Sequence, residues 1–238
     1  MKICLKYTLG LLILALVFPM GSVAGGMEDD PLLTKLVINQ LEVRDADGAT
    51  PLVWDAEAWI GKDLHKLWIK TDGALISGQV EEMELQALYS RAVAPFWDLQ
   101  LGWRRDIRPT PQRDWLALGF KGLAPYYFDI DSAVFIGTNG RTALRLQAEY
   151  DLMLTQRLVL VPDFEVNFYG RNDPAVGIGK GISNTEAGLR LRYEIRREFA
   201  PYIGINWNRV YGNTADFARS EGVGIEETQL LVGVRLWF

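Results

Sequence analysis

The chain has 238 residues, with 25 basic side chains, 30 acidic side chains, one Cys and one His. The single Cys excludes a disulfide scaffold and a Cys-based zinc site. The acidic balance argues against a nucleic-acid partner, which would need a basic face. A hydrophobic content of 49% is too high for a disordered chain.

The first 24 residues have the features of a secretory signal peptide. Lys2 and Lys6 precede the apolar run 9–18, and Ser22-Val23-Ala24 supplies small residues for cleavage after Ala24. We expect residues 25–34 to form a short periplasmic segment. No later stretch reaches the roughly 18 uninterrupted apolar residues of a transmembrane helix.

From residue 35 to residue 238, apolar and polar residues alternate with a period of two, as in β-strands with two different faces. Within the run 142–151, Leu144 and Leu146 share one face, whereas Arg145 and Glu149 share the other. About twelve such runs lie near 35–43, 52–61, 64–71, 79–90, 95–105, 113–121, 126–136, 141–152, 156–169, 184–196, 200–210 and 226–238.

The length of these runs suits tilted membrane-spanning strands of about 9–11 residues. Short connections lie near 91–94, 122–125, 153–155 and 197–200, whereas longer ones lie near 106–112, 170–183 and 211–225; Asn139-Gly140 is a tight hairpin turn. A soluble β-sandwich would also alternate. Strand length, aromatic density and rows of charge favour an all-β transmembrane antiparallel up-and-down β-barrel over 35–238 with about 12 strands.

Aromatic residues recur where strands are expected to begin. The sequences Ala94-Pro95-Phe96, Ala124-Pro125-Tyr126 and Ala200-Pro201-Tyr202 share a pattern, and the chain ends in Leu236-Trp237-Phe238. They are either ordinary turn prolines or part of an aromatic girdle at the membrane interface. We favour the girdle, whose predicted members are Phe96, Tyr126, Tyr202, Trp237 and Phe238.

Several blocks of sequence resemble the outer-membrane copper resistance protein B family. The blocks are QALYSRAVAPFWDLQ at 86–100, GLAPY at 122–126, EYDLMLTQRL at 149–158, YEIRREFAPY at 193–202 and GVRLWF at 233–238. The likeness runs from about residue 50 to the C-terminus. It implies a β-barrel in the outer membrane, a role in copper binding or copper tolerance, copper ions as the ligand and no organic cofactor.

The sequence departs from that family near its N-terminus. Members often carry a segment rich in Met and His, whose soft thioethers and imidazoles suit copper. Here the corresponding stretch is the short Met27-Glu28-Asp29-Asp30-Pro31, and only Met27, Met83 and Met153 follow the signal peptide. This argues against copper storage at high capacity.

Few residues are candidates for metal binding. His65 is the sole His, and its candidate partners are Asp63, Glu57 or a Met. Met153, in a short turn, is a weaker metal-binding candidate. A single His at a turn is more often a solvated residue. The predicted lumen face carries a polar cluster, which is either an ion-pair network that fills a narrow barrel or a polar conduit for cations. Its members are Asp55, Glu84, Arg145, Glu149, Asp163, Glu165, Arg190 and Arg192.

The sequence therefore favours an outer-membrane barrel in copper homeostasis. The alternatives are a general small-solute channel and a plugged structural barrel without metal specificity. An outer-membrane lipase would need a Ser paired with His65, and no Ser stands near it in a recognisable motif, so we expect no enzymatic activity. The expected partners are outer-membrane lipid, the barrel assembly machinery and a periplasmic copper oxidase or carrier, with no nucleic acid.

Overall fold

Thirteen strands form one antiparallel sheet in the computed structural model, which describes residues 30–46 and 48–238. The strands are β1 (Leu33–Asp45), β2 (Leu52–Gly61), β3 (His65–Ile76), β4 (Gln79–Ala94), β5 (Trp97–Arg108), β6 (Arg113–Ala124), β7 (Phe128–Gly137), β8 (Thr142–Tyr150), β9 (Leu152–Met153), β10 (Leu158–Tyr169), β11 (Gly181–Tyr193), β12 (Phe199–Val210) and β13 (Glu226–Trp237). Each strand pairs with the next along the chain, except that β8 and β9 both pair with β10, and β1 pairs with β13, which closes the barrel.

The short strand β9 continues β8 along the edge of β10, so the wall has twelve strand positions, as predicted. The first strand begins at Leu33 rather than at residue 35. The predicted signal peptide 1–24 and most of the predicted segment 25–34 lie outside the described residues.

The two faces of the strands are distributed as in a membrane barrel rather than a soluble protein. On β6, Leu116 and Leu118 are exposed on the outer surface. Side chains such as Glu84, Arg104 and Asn206 are instead buried in the interior. An apolar exterior around a charged interior is unfavourable in water and favourable in lipid. In addition, a closed sheet pairs its own backbone groups, to which lipid offers no hydrogen bonds. The outer membrane is therefore the location of this barrel.

The connections lie on two sides of the barrel. Both ends of the described chain and the turns after β2, β4, β6, β9 and β11 lie on one side, which is the periplasmic side in such barrels. On the opposite, extracellular side, two connections are long, 170–180 and 211–225. The connection predicted near 106–112 is shorter, because β5 extends to Arg108. Likewise β3 extends to Ile76 and reaches β4 through a two-residue turn, Ser77-Gly78, in which both φ angles are positive.

The second long connection contains α1 (Gly212–Ser220), which contacts β11. Short 3₁₀ turns span Pro125–Tyr127, Thr138–Gly140 and Pro174–Val176. None of the helices in 30–46 and 48–238 is long and apolar enough to cross a membrane.

The residues predicted to form the periplasmic aromatic girdle differ in their placement, and one of them contradicts the prediction. Phe96 and Tyr126 lie in turns and are exposed. Phe238 is also exposed, and its backbone is hydrogen-bonded to the backbone of Leu36. The half-buried Trp237 donates a hydrogen bond from Nε1 to the carbonyl oxygen of Arg197.

Tyr202 contradicts the prediction, because it is 4% exposed and points into the lumen. In the first two Ala-Pro-aromatic sequences, the aromatic residue forms part of the turn between two strands. In the third, β12 has already begun at Phe199, so the alternation of its side chains turns Tyr202 inward. Phe199 is the exposed aromatic residue at this position.

Candidate functional site

The barrel interior contains a cavity of about 730 Å³ that extends inward from the extracellular loops. Its wall carries many charged side chains, including both members of several ion pairs. Six of the eight residues in the predicted lumen cluster line this cavity: Asp55, Glu84, Arg145, Glu149, Asp163 and Glu165. The other two, Arg190 and Arg192, line a much smaller cavity of about 20 Å³ together with Tyr202.

A first network of charges is centred on Glu42 of β1, which is fully buried. Its carboxylate accepts hydrogen bonds from Arg44 at 2.8 Å, from Arg190 at 3.0 Å through two nitrogens, and from the hydroxyl of Tyr202 at 2.9 Å. Arg190 also pairs with Asp163. Arg190 lies on β11, so this network crosses the inner wall formed by β12 and β13.

The wall beneath this network has a glycine at a position where any larger residue would collide with the network. A Cβ atom on Gly233 would lie 2.7 Å from Cβ of Glu42 and 2.7 Å from the ring of Tyr202. A second ion pair connects the same two strands, because Arg44 also contacts Glu186 of β11 at 2.9 Å. Two charged contacts thus join β1 to β11 over the intervening strands.

A second network crosses the lumen at Glu84 of β4. Arg104 contacts its carboxylate at 2.7 Å, and Arg145 of β8 contacts it at 2.9 and 3.1 Å. Three strands separate β4 from β8 in the wall, so the side chains of Glu84 and Arg145 reach across the interior. Arg104 additionally pairs with Asp106 at 2.7 Å and lies over the ring of Phe135.

A third network lies nearer the periplasmic side. Lys121 contacts Glu57 at 2.7 Å, and Lys70 contacts Asp131 at 2.6 Å. Both ammonium groups lie within 6 Å of the ring of Trp68, at 5.0 and 5.9 Å from its centroid. The three networks fill much of the interior, which is the arrangement expected when buried charges are paired.

Some lumen carboxylates are not neutralised in this way. Asp55 of β2 faces Asp72 of β3, which in turn faces Glu84 of β4. Glu84 has two arginine partners, but Asp55 and Asp72 have no ion-pair partner in the described part of the chain. Asp55 accepts only a long hydrogen bond from the amide of Asn39, at 3.4 Å. Like charges on directly opposed residues repel each other, so a bound cation would relieve the repulsion between Asp55 and Asp72.

The extracellular mouth is held by contacts between loops. Asp173 in the loop 170–180 accepts two hydrogen bonds from Arg113, at 2.8 and 2.9 Å, and pairs with Arg141 at 3.0 Å. In addition, the hydroxyl of Thr214 in α1 accepts a hydrogen bond from the backbone N–H of Gly179. These contacts join the two long loops and the shorter ones beside the cavity.

The hydrogen bonds from Arg113 hold the pKa of Asp173 below its ordinary value of 3.8. A carboxyl with a lowered pKa stabilises the folded loop fully above pH ~4 and loses this effect as the pH falls through the lowered pKa. For a dye attached at Ala175→Cys, we expect high fluorescence anisotropy at neutral pH and a decrease in acid. With Asp173→Asn added, anisotropy should be low throughout.

Asp216→Asn is the matched control, because Asp216 pairs only with Arg219 on the exposed surface of α1. It should leave the pH profile unchanged. An acid transition that survives Asp173→Asn would show that another group orders this loop.

The three candidate metal ligands do not meet. His65 lies on the outer surface at the periplasmic end of β3, where its Nδ1 is 2.5 Å from the hydroxyl of Tyr89 and the two rings stack. Glu57 points into the lumen and pairs with Lys121. Met153 is exposed on β9, where it pairs with Val159 of β10. Within 30–46 and 48–238, no group of three or more His, Cys, Asp or Glu side chains could hold a metal ion.

Sequence reasoning missed two central residues, Glu42 and Asp72. A β-bulge near Asn39 in β1 breaks the alternation, so Glu42 did not stand out as a lumen residue. Asp72 lay beyond the predicted end of the third strand, at residue 71. The signal for Asp72 was present, since Lys66, Trp68, Lys70 and Asp72 continue one face of β3.

Comparisons with known proteins agree with this architecture. The family model described as "Copper resistance protein B precursor" matches residues 32–238. Copper resistance protein B of Escherichia coli is 46% identical over 219 residues, covering 92% of this chain and 74% of its own length. The Copper resistance protein B homolog of Pseudomonas syringae pv. tomato is 45% identical over 212 residues, covering 89% and 72% respectively.

Solved porin structures share the fold at low sequence identity. The NanC porin has a TM-score of 0.54 and 11% identity, with 86% of this chain and 99% of that chain covered. The KdgM porin has a TM-score of 0.50 and 10% identity, with the same coverage. At these identities the likeness concerns the fold alone.

Proposed function

The chain belongs to the copper resistance protein B family, and we propose that it acts in copper resistance by drawing copper ions into its acidic lumen. Family membership supports the role in copper resistance. The Asp55–Asp72 pair carries the proposal about the lumen, because the two carboxyl groups face each other and neither makes an ion-pair contact within the described residues. A narrow lumen with low-dielectric walls concentrates the cations that its fixed charge attracts.

The lumen residues suit passage or transient retention of copper better than tight storage. Their donors are mainly carboxylate and amide oxygens, which select copper poorly over other divalent ions. The imidazole of His65 lies on the outer surface, and the thioether of Met153 lies at a periplasmic turn. We therefore propose copper as a cargo of the lumen and not as a resident cofactor.

We further propose that the protein is not an enzyme and that its partners are those a membrane barrel in copper homeostasis requires. His65 contacts Tyr89 rather than a Ser hydroxyl, which favours a non-catalytic role. The outer surface suits outer-membrane lipid, and the closing strand β13 suits the barrel assembly machinery. A periplasmic copper oxidase or carrier would receive or supply copper at the short-turn side.

Copper tolerance tests this function. We expect cells that lack the protein to regain growth on Cu²⁺ when the full chain is restored. The double variant Asp55→Asn/Asp72→Asn should restore less tolerance, because Cu²⁺ occupancy of the lumen should fall roughly tenfold when the pair is neutralised. Asp216→Asn, an equal change on the exposed face of α1, should restore tolerance fully. Full tolerance with the double variant at normal abundance would contradict the role of the lumen pair.

The charged crossings of the lumen support a second candidate, a plugged structural barrel. The Glu84–Arg145 and Glu42–Arg190 contacts both occupy interior space that a general solute channel would leave open. Conductance in planar bilayers separates the candidates. Steady current carried equally by all small ions supports a general channel, the absence of current supports a plug, and a preference for divalent cations supports the copper proposal.

A further inference from the structure

The inner wall of β12 and β13 contains a patch of carboxamide side chains, distinct from the Asp55–Asp72 pair. Asn206 faces Gln229 across the two strands, and Asn208 lies two residues farther along β12. Asn206 is fully buried, and Gln229 is 9% exposed. Both residues that flank Asn208 on neighbouring strands are acidic, Glu186 on β11 and Glu227 on β13.

Four polar atoms of this amide patch have no hydrogen-bond partner in the described part of the chain. They are Oδ1 and Nδ2 of Asn206, Oδ1 of Asn208 and Oε1 of Gln229. Buried polar atoms are nearly always paired in natural proteins, so several unpaired atoms in one patch require a partner such as an ion or ordered water. Three of these four atoms are oxygens.

The number of unpaired atoms does not depend on which way each amide group is turned. The Nε2 of Gln229 donates to Glu227 at 2.8 Å, and a flipped amide would place two oxygens against each other. Both amide atoms of Asn206 are unpaired, so a flip of that group leaves the count unchanged. A direct Asn206–Gln229 hydrogen bond would satisfy one donor and one acceptor, and the other oxygens would still require a positive or donating partner.

The charges near the amide patch favour a cation. Glu186 pairs with Arg44, which also contacts Glu42, whereas Glu42 has Arg190 as a second partner. Glu227 adds a further carboxylate beside Gln229. Asn208, Gln229 and Glu186 also line the large cavity, which gives an ion access to the patch.

We propose that Asn206, Asn208 and Gln229, with the carboxylates of Glu186 and Glu227, form a binding site for a hard divalent cation of the Ca²⁺ type. Carboxylate and amide oxygens are the ligands that Ca²⁺ prefers, and its flexible coordination suits ligands from neighbouring strands. The absence of nitrogen and sulfur donors from this set separates it from a site for copper. The ion lies beneath the Arg44–Glu186 contact, where its positive charge balances the amide and carboxylate oxygens of the site.

The test uses the full chain, refolded in detergent and freed of metal with a chelator. We expect calorimetric titration with CaCl₂ to show binding of Ca²⁺, and Ca²⁺ to slow thermal unfolding. Asn206→Leu should weaken Ca²⁺ binding roughly tenfold or more, whereas Asn206→Asp should strengthen it, because affinity rises with the number of charged ligands. Gln147→Leu is the control: Gln147 is a lumen amide on β8 that already bonds to Glu165.

The outcomes separate the alternatives. No Ca²⁺ binding, or binding of equal strength in wild type and Asn206→Leu, would overturn the proposal and leave ordinary water as the partner of these amides. Tighter binding of Cu²⁺ than of Ca²⁺ at the same residues would overturn the hard-cation assignment. If Asn206→Leu does not fold, Asn206→Asp provides the test. An unchanged affinity of that variant for Ca²⁺ would count against the site. Asp55→Asn/Asp72→Asn should leave Ca²⁺ binding intact, so this inference can fail independently of the proposed function.

Discussion

Replacement of Glu42 by Ala is expected to cost the barrel about 4 kcal/mol of unfolding free energy. Glu42 is fully buried, and its removal leaves Arg190 and Arg44 without their shared carboxylate and Tyr202 without its acceptor. Arg44 keeps Glu186 and Arg190 keeps Asp163, so the loss comes mainly from buried donors of the two guanidinium groups and Tyr202 that no longer have their acceptor. Urea unfolding in lipid vesicles, followed by tryptophan fluorescence, measures the effect.

Two variants sharpen this measurement. Glu42→Gln keeps an acceptor for the hydroxyl of Tyr202 but removes the charge, so its cost should lie between that of wild type and that of Glu42→Ala. Glu81→Ala makes the same truncation at an exposed position of β4 and should change the free energy by less than about 0.5 kcal/mol. Equal costs for Glu42→Ala and Glu81→Ala would show that the network contributes nothing to stability.

The variant Gly233→Ala is expected to destabilise the barrel by about 2 kcal/mol, although it adds only one methyl group. The new Cβ would lie 2.7 Å from Cβ of Glu42 and 2.7 Å from the ring of Tyr202. Neither neighbour can move easily, because the first is attached directly to the backbone of β1 and the second is buried. The same unfolding assay measures the loss.

Gly119→Ala supplies the matched control from another interior glycine. There the nearest atom to the new Cβ is the carbonyl oxygen of Ser132 at 3.3 Å. A strand Gly replaced by Ala also loses less entropy on folding, so this variant should be neutral or slightly stabilising. If Gly233→Ala and Gly119→Ala had the same effect, close packing beneath the Glu42 network would not limit the choice of residue at 233.

Much of the barrel could be predicted from alternation alone. One face of each strand contacts lipid and the other lines the interior, so the polarity of residues such as Leu101 and Arg104 on β5 reveals the side to which each points. That rule depends on an unbroken period, and it failed where the backbone interrupts the period. The bulge in β1 concealed Glu42. Tyr202 was assigned to the interface from the Ala-Pro-aromatic pattern, although alternation with Asn206 along β12 places it inward.

The pairing of charges in the lumen could not be predicted in the same way. Alternation shows that Arg145 and Arg190 point inward, but it does not show which carboxylate each one reaches. Those partners, Glu84 and Glu42, lie several strands away in the closed sheet. Only the curvature and closure of the barrel bring them together. His65 and Glu57 are close in sequence but do not meet, because the alternation of side chains along β2 and β3 points them to opposite faces.

The two contacts between β1 and β11 also bear on how the barrel assembles. Arg44 and Glu186 are 142 residues apart in the chain, and Glu42 and Arg190 are 148 residues apart. Because β12 and β13 lie between them in the wall, these pairs can form only after the first strand has met the last. Contacts of such high sequence separation form late and slow the folding of a chain. An unclosed intermediate would expose Arg190 without its principal partner, so closure of the seam and neutralisation of the interior should occur as one cooperative step.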